Sequence, residues 1–214
     1  MCESTEELHQ MTLARGKIYK FLSFIFLKEP SKDVIEKLKD REFLSNLKEL
    51  FGHSSSHLEK FLKEFDGNCK ALKQEYVSLF LAPSARYVAP YESVYRTGLL
   101  WGNSTIDVLK CYERAGVVIS KECKEIPDHL GLELEFIHFL CGREAETLEN
   151  SREEALKFLN LQKEFLQNHL MSWVSEVCDE IEKKTKSEFY KGIASLTSEF
   201  VKRDFRELCE TKTF

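Results

Sequence analysis

Residues 124–140, which read KEIPDHLGLELEFIHFL, place an aspartate and a histidine directly before an apolar run that carries further glutamates. A helix that begins at Pro127, where the missing N–H costs nothing, would put His129, Glu133 and Phe136 on one face. A histidine and a glutamate one turn apart are half of a plausible metal site, and the same groups suit acid–base chemistry. The spacing indicates a candidate site without deciding its chemistry.

The same residues also have a structural interpretation. Asp128 in the first turn would complement the helix dipole, and His129 and Glu133 would pair on the helix surface. A third interpretation is a binding surface, because carboxylates beside aromatic rings suit a basic peptide. A structural role, a peptide contact and a metal site are all left open by the spacing.

Other signals of catalysis in the sequence are weak. Glu-x-x-His pairs, which line di-iron sites in helical bundles, occur at Glu6/His9 and Glu135/His138, but in a chain with 29 Glu and six His such pairs arise by chance. The closest of the seven cysteines are 12 residues apart, so no Cys-x-x-Cys motif is present. We find no glycine-rich phosphate loop, nucleophile elbow or His-Glu-x-x-His motif. His169, among apolar neighbours, is predicted to be a hydrogen-bonded core histidine.

A second candidate region covers residues 83–102, where prolines, glycines and large aromatic residues interrupt the helical periodicity. The aromatic residues include Tyr91, Tyr95 and Trp101. A long irregular segment in a compact domain is more often functional than not. We therefore expect this segment to contribute to a site.

The composition predicts the elements that must position these residues. The chain has 214 residues, 43% of them apolar, with sixteen Phe but only nine Gly and four Pro, which favours long helices joined by few loops. We predict an all-α fold, with one globular domain over residues 1–214 and about ten helices. The predicted helices cover residues 4–27, 31–38, 41–51, 55–66, a segment ending at Pro83, 103–115, 127–146, 151–170, 171–185 and 187–210.

Charge and hydropathy exclude some classes of partner. The net charge of −5 argues against a nucleic acid partner, because phosphate binding needs a basic face. The apolar run within residues 14–27 is interrupted by a lysine and lacks a small-residue cleavage site, so it reads as an amphipathic helix and not as an export signal. We expect a cytoplasmic protein with reduced cysteines and no transmembrane segment.

Three segments together resemble the TorD/DmsD/NarJ family of chaperones, which mature molybdenum-containing redox enzymes. The segment at 76–95 is similar to the family's Tyr-x-x-Leu-Phe pattern followed by Pro-aromatic-x-Ser-x-Tyr, although Leu81-Ala82 stand where members often carry a glycine. The segment at 125–136 resembles Glu-x-Pro-Asp-His-Leu-x-x-Glu-Leu. The segment at 165–174 resembles Phe-Leu-x-x-His-Leu-x-x-Trp. Their order and separation match over nearly 100 residues.

The resemblance implies a cytoplasmic binding protein without catalysis, cofactor or resident metal. Its partners would be the N-terminal, often twin-arginine, signal segment and the apo form of a molybdopterin-containing oxidoreductase subunit, held for cofactor insertion and assembly before export. A receptor for guanidinium groups followed by an apolar stretch needs carboxylates and an aromatic groove. The expected peptide-binding residues are Tyr91, Glu92, Ser93, Tyr95, Trp101, Glu125, Pro127, Asp128, His129, Glu133 and Phe136.

Two other functions remain as alternatives: an all-α metal-binding protein or enzyme, and a general helical protein-interaction module. The chain is expected to be a monomer or a helix-swapped dimer. If the acidic cluster is an exposed peptide site, Asp128→Ala or His129→Ala should weaken peptide binding. Either change should then alter the free energy of unfolding by less than about 1 kcal/mol, as surface substitutions usually do.

Overall fold

A computed structural model describes residues 5–41, 44, 45, 48 and 51–210. These residues are predominantly helical, which confirms the predicted all-α class. The helices are α1 Thr5–Leu27, α2 Lys32–Lys39, α3 Gly52–Glu64, α4 Lys70–Tyr76, α5 Glu92–Thr97, α6 Asn103–Arg114, α7 Leu130–Leu148, α8 Arg152–Phe165, α9 Met171–Lys184 and α10 Glu188–Glu210. The part of the chain so described contains no strand, only one isolated antiparallel bridge between Tyr91 and His129.

Most predicted boundaries agree with these helices within a few residues. The helix predicted at 41–51 lies largely outside the described residues. α3 begins at Gly52, three residues before the start predicted for the helix at 55–66. α7 begins at Leu130, three residues later than predicted, and this shift matters for the site.

Two helices continue into π-helical turns. α4 passes into such a turn at Val77–Leu81, and α8 passes into another at Leu166–Leu170 before α9 begins. The buried side chains of these turns include Leu79, Phe80 and His169. A π turn inserts one residue into a helix and is frequent at functional sites. His169 lies in the second of these turns.

The chain divides into two compact units, each assembled from separate stretches of sequence. Unit 1 contains the described residues of Met1–Phe24, Tyr91–Trp173 and Arg203–Phe214. Unit 2 contains those of Ile25–Pro90 and Val174–Lys202. The prediction of a single domain over residues 1–214 stays a prediction.

Unit 2 is built around a cluster of aromatic side chains. The rings of Phe80 and Tyr190 pack edge to face with their centroids 5.9 Å apart, and Phe26 packs on Phe80 at 6.0 Å. α3 and α10 approach each other closely at Gly192, where an added Cβ would lie 2.7 Å from Cγ of Leu58. Burial of these rings stabilises this unit.

Unit 1 combines an apolar core with a buried polar network. Nε of Arg15 donates to Oδ1 of Asp204 at 2.5 Å, and Nη2 donates to Gln162 at 2.8 Å. The hydroxyl of Tyr19 donates to the other oxygen of Asp204 at 2.7 Å. The bonds join α1, α8 and α10, so residues far apart in sequence complete one another's hydrogen bonding. All predicted site residues lie in unit 1.

None of the described helices is both long enough and apolar enough to cross a bilayer.

Candidate functional site

The start of α7 differs from the predicted arrangement. His129 is the N-cap of this helix, with an extended backbone, and its Nδ1 accepts a hydrogen bond from the backbone N–H of Gly131 at 3.0 Å. Pro127 therefore lies before the helix and not at its first position, and His129 does not share a helical face with Glu133. The surface pair predicted between those two residues is wrong, because both side chains are buried.

Asp128 stabilises a different helix from the one predicted. Its Oδ2 accepts the backbone N–H of Ser93 at 2.8 Å, and its backbone carbonyl accepts the N–H of Glu92 at 3.0 Å. The first backbone donors of α5 are thus satisfied from a loop 35 residues away. The bridge between Tyr91 and His129 holds the same two segments together. The loop formed by Pro127, Asp128 and His129, here called the PDH loop, therefore joins the two candidate regions through backbone and side-chain hydrogen bonds.

Burial separates the predicted site residues into two groups. Glu92, Ser93, Asp128 and Glu133 are completely buried, and His129 is 3% exposed. Pro127 and Phe136 are buried as well. The expectation that Asp128 and His129 are surface positions is therefore wrong, and a peptide could reach these seven side chains only if the local structure opened. Their role in peptide binding stays a prediction.

The buried carboxyl groups do not carry equal charge. Burial raises the pKa of Glu133 well above its usual range, the charge of Glu92 adds to the rise, and the donor Nε1 of Trp173 at 3.2 Å only partly opposes it. Burial would also raise the pKa of Glu92, but hydrogen bonds from His169 and Arg96 lower it instead. Burial thus favours the neutral form of Glu133, whereas the hydrogen bonds to Glu92 favour its ionised form. The acidic cluster is therefore less negative than its sequence indicates.

His129 is neutral under physiological conditions. Burial lowers its pKa to about 3, which agrees with Nδ1 acting as an acceptor for Gly131. The proton then resides on Nε2, which lies 4.0 Å from Oε2 of Glu125. A neutral, capped and buried imidazole suits a structural role better than acid–base chemistry near pH 7.

The remaining predicted residues are accessible. The hydroxyl of Tyr91 donates to Oε2 of Glu125 at 2.8 Å, and its ring packs edge-on against His129 with centroids 5.2 Å apart. Tyr95 packs against the buried Trp173 at 5.5 Å. Tyr91, Tyr95 and Glu125 are half-buried, and Trp101 is 61% exposed. Glu125 is therefore the one predicted carboxylate that a bound peptide could reach directly.

Sequence reasoning missed most of an exposed apolar patch, which we define as the consecutive residues Leu99, Leu100 and Trp101. Half or more of each side chain is exposed, and Leu99 reaches 69%. The signal was present in the GLLWG segment, where three large apolar residues stand between two glycines and fit no buried helical face. Exposed apolar residues that cluster in this way mark interaction surfaces more often than scattered ones do.

Trp101 also has an unfavourable backbone conformation. Among the described residues it is the one non-glycine residue with a positive φ, at +60°. Gly98, which ends α5, has a φ of +74°, but glycine adopts this conformation without a steric penalty because it has no Cβ. A bulky residue in the left-handed region is uncommon and costs on the order of 1 kcal/mol. A large ring that is both exposed and strained contributes little to folding, which points to a role in binding.

The structure offers no arrangement for a resident metal within the described residues. No group of three or more His, Cys, Asp or Glu side chains there could hold a metal ion. In particular, the nitrogen Nδ1 of His129 is used in capping α7, and the carboxyl of Glu133 accepts a hydrogen bond from Trp173, so the predicted half-site is not formed.

Comparison with known proteins identifies the family of this chain. The family model described as nitrate reductase delta subunit matches residues 41–179, well over half of the chain. The chain belongs to this family. The match spans the capped α5, the PDH loop and the π turn at Leu166–Leu170. The resemblance to the TorD/DmsD/NarJ chaperones is confirmed.

The curated relatives agree with this assignment. The chaperone protein TorD of Vibrio cholerae is 28% identical over 208 residues, covering 93% of this chain and 94% of its own. Those of Vibrio parahaemolyticus and Aliivibrio fischeri are 29% and 27% identical, over 93% and 94% of this chain and 96% and 98% of their own. The chain therefore belongs to a family whose curated relatives are named as chaperones and not as enzymes.

A solved structure was also found for comparison. A crystal structure of a protein assigned to redox enzyme maturation in Archaeoglobus fulgidus aligns with a TM-score of 0.45 and 21% identity, over 99% of this chain and 96% of that one.

Proposed function

We propose that this protein is a cytoplasmic maturation chaperone for a molybdenum-cofactor-containing redox enzyme. It binds the N-terminal signal segment of the client, which carries twin arginines, and holds the apo subunit for cofactor insertion and assembly before export. Full-length similarity to chaperones named TorD supports the proposal. The observation that carries the binding step is the exposed apolar patch, since a signal segment presents an apolar stretch after its arginines.

The accessible residues suggest how such a segment is received. The apolar stretch packs on Leu99, Leu100 and Trp101, whose exposed area is available without rearrangement of the core. Glu125 supplies the carboxylate for a guanidinium group, while the hydroxyl of Tyr91 already orients its Oε2. Buried Glu92 and Glu133 are unsuitable, because Glu92 is paired with His169 and burial favours the neutral form of Glu133.

Fluorescence anisotropy with a labelled twin-arginine signal peptide tests the proposal. The control peptide has both arginines replaced by lysine, which keeps the charge but removes the bidentate fork. We expect binding with a Kd of about 1 μM or below, weakened at least ~10-fold by lysine, which corresponds to about 1.4 kcal/mol. Equal affinity for both peptides would shift recognition to the apolar stretch. No binding to either peptide would contradict the proposal.

Substitutions on the protein locate the site. Trp101→Ala and Glu125→Gln should each weaken the twin-arginine peptide by roughly 1 to 2 kcal/mol, as removal of an anchor at an interface does. Val118→Ala is the matched control, because Val118 is 90% exposed, apolar and outside the proposed site. Glu125→Gln should also reduce the preference for arginine over lysine. A similar loss in all three variants would argue against a localised site.

A further inference from the structure

Three side chains from three separate elements form a cluster that the proposed function does not use. Cys111 on α6 has its Sγ 3.7 Å from Nε2 of His169 in the second π turn. Nδ1 of the same ring lies 2.9 Å from Oε2 of Glu92, the first residue of α5. A thiol, an imidazole and a carboxylate in this order form the arrangement that activates nucleophiles.

The burial of the cluster is graded from carboxylate to sulfur. Glu92 is completely buried and His169 is 4% exposed, whereas Cys111 is half-buried and can be reached by small molecules. The ring of His169 is held in place by Phe165, with centroids 4.7 Å apart. The carboxylate is fixed in turn by Nη1 of Arg96 at 2.7 Å. The ring of His169 and the carboxylate of Glu92 are thus both held in place, whereas the sulfur of Cys111 stays accessible.

The electrostatics favour a protonated ring beside the sulfur. Burial alone would lower the pKa of His169, but its hydrogen bonds to Cys111 and Glu92 and their charges raise it to about 9. Both ring nitrogens then carry protons, one directed at Glu92 and the other at the sulfur. The other charged groups that act on His169 or Cys111 are Glu164 on α8 and Asp107, Lys110 and Arg114 on α6, while Arg96 and the carboxyl of Glu133 act on Glu92.

We propose that Cys111 is a reactive nucleophile and a site of modification by small electrophiles, with hydrogen peroxide as the oxidant. An imidazolium ion beside a cysteine favours the thiolate, which is the nucleophilic form. The sulfur attacks one peroxide oxygen, an S–O bond forms and the O–O bond breaks. The leaving hydroxide takes one proton and becomes water. Sulfur is oxidised by two electrons, peroxide is reduced, and the product is a sulfenic acid.

The other described cysteines lack this environment. Burial raises the pKa of Cys141 to about 12 and that of Cys178 still higher, so both thiols stay protonated and inert. Cys69, Cys123 and Cys209 are partly or fully accessible, but they make no hydrogen bond to a histidine in the part of the chain that the structure covers. Accessibility alone would not single out Cys111; the contact with His169 does.

The test is site-resolved alkylation of the full chain with iodoacetamide, read out by peptide mass spectrometry between pH 6 and pH 9. At pH 6 we expect Cys111 to react at least ~10-fold faster than Cys69 and Cys123 in the same molecule. Brief treatment with hydrogen peroxide followed by dimedone should label Cys111 first. A rate at Cys111 equal to or below that at the two internal controls would overturn the proposal, and this comparison needs no variant.

Two variants assign the cause of the reactivity. His169→Gln should lower the alkylation rate of Cys111 at pH 6 by roughly 10-fold while leaving that of Cys69 unchanged. Glu92→Gln should give a smaller loss, because the ring keeps its place near the sulfur but loses the charge that holds its proton. If His169→Gln fails to fold, Glu92→Gln serves in its place. Unchanged rates in the folded variants would contradict the role of the cluster.

Discussion

At the scale of single residues, Asp128 gives the sharpest contrast with its sequence-based interpretation. It caps α5 and is completely buried, so its removal leaves the N–H of Ser93 without a partner. We expect Asp128→Ala to lower the free energy of unfolding by about 2 kcal/mol. Asp128→Asn keeps an acceptor oxygen and should cost less than half as much. Urea unfolding of the two variants measures the difference, and equal losses would mean that charge, not capping, matters.

His169 makes stability depend on pH. Its pKa is about 9 when folded and near 6.5 when unfolded, so the folded state binds the proton more tightly. The resulting stability is fully present below pH 6.5 and is lost as the pH rises through 9, by roughly 2 to 3 kcal/mol. Urea unfolding under reducing conditions at pH 6.5 and pH 9 measures this loss. His169→Gln should show a smaller loss, and a parallel pH dependence would exclude the histidine as its source.

At the scale of elements, the turn between α5 and α6 holds two left-handed residues with opposite expectations. Gly98→Ala should cost about 1 kcal/mol, because only the backbone penalty changes where an added Cβ meets no atom within 4 Å. Trp101→Asn should leave the free energy of unfolding within about 0.5 kcal/mol of wild type or raise it, since asparagine tolerates this conformation. Thermal unfolding distinguishes the pair. A large loss for Trp101→Asn would show that the ring serves folding.

The contact between α3 and α10 sets a different limit. Alanine at Gly192 would favour the helix by about 1 kcal/mol, but its Cβ would lie 2.7 Å from Cγ of the buried Leu58. We expect Gly192→Ala to destabilise the protein by about 1 kcal/mol or more, because overpacking outweighs propensity. Leu58→Ala should cost less in that background than in wild type. A double-mutant cycle gives this coupling, and strict additivity would place the strain elsewhere.

The elements also show what the sequence could predict about the site. Helical periodicity predicted most of the helices, and the breaks in periodicity at residues 83–102 marked a real loop with a short helix inside it. The positions of the irregular segments were predicted correctly, but the hydrogen-bond partners of their residues were not. Asp128 precedes an apolar run and so resembles a cap for α7, whereas it caps α5, 35 residues earlier. Tertiary hydrogen bonds of this kind leave no local pattern in a sequence.

Burial was the second property that could not be predicted. Two carboxylates and a histidine near one another look like a polar surface in the sequence, yet Asp128, His129 and Glu133 are buried because each finds a specific partner. Conversely, Leu99 and Leu100 would be expected in a core, yet they are exposed. Partners decide burial for charged groups, and the fold decides exposure for apolar ones.

At the scale of the whole molecule, the network of Arg15 tests how the first and last described helices depend on each other. Arg15→Lys keeps the charge but cannot reach Asp204 and Gln162 together, so it should cost roughly 2 kcal/mol. Arg203→Lys is the control, because Arg203 pairs with Glu207 at the surface and its replacement should cost less than about 0.5 kcal/mol. Chemical denaturation compares the two variants. Equal losses would mean that the buried fork adds no stability.

The same network has a consequence for synthesis of the protein in the cell. Arg15 and Asp204 are 189 residues apart, so at about 5 to 20 residues per second the ribosome needs roughly 10 to 40 s between making one and the other. During that time the nascent chain exposes the surfaces of α1 that its last helix will cover. A protein proposed to shield unfinished clients is therefore itself unfinished during this time. Its first helix, α1, stays uncovered until α10 has been synthesised.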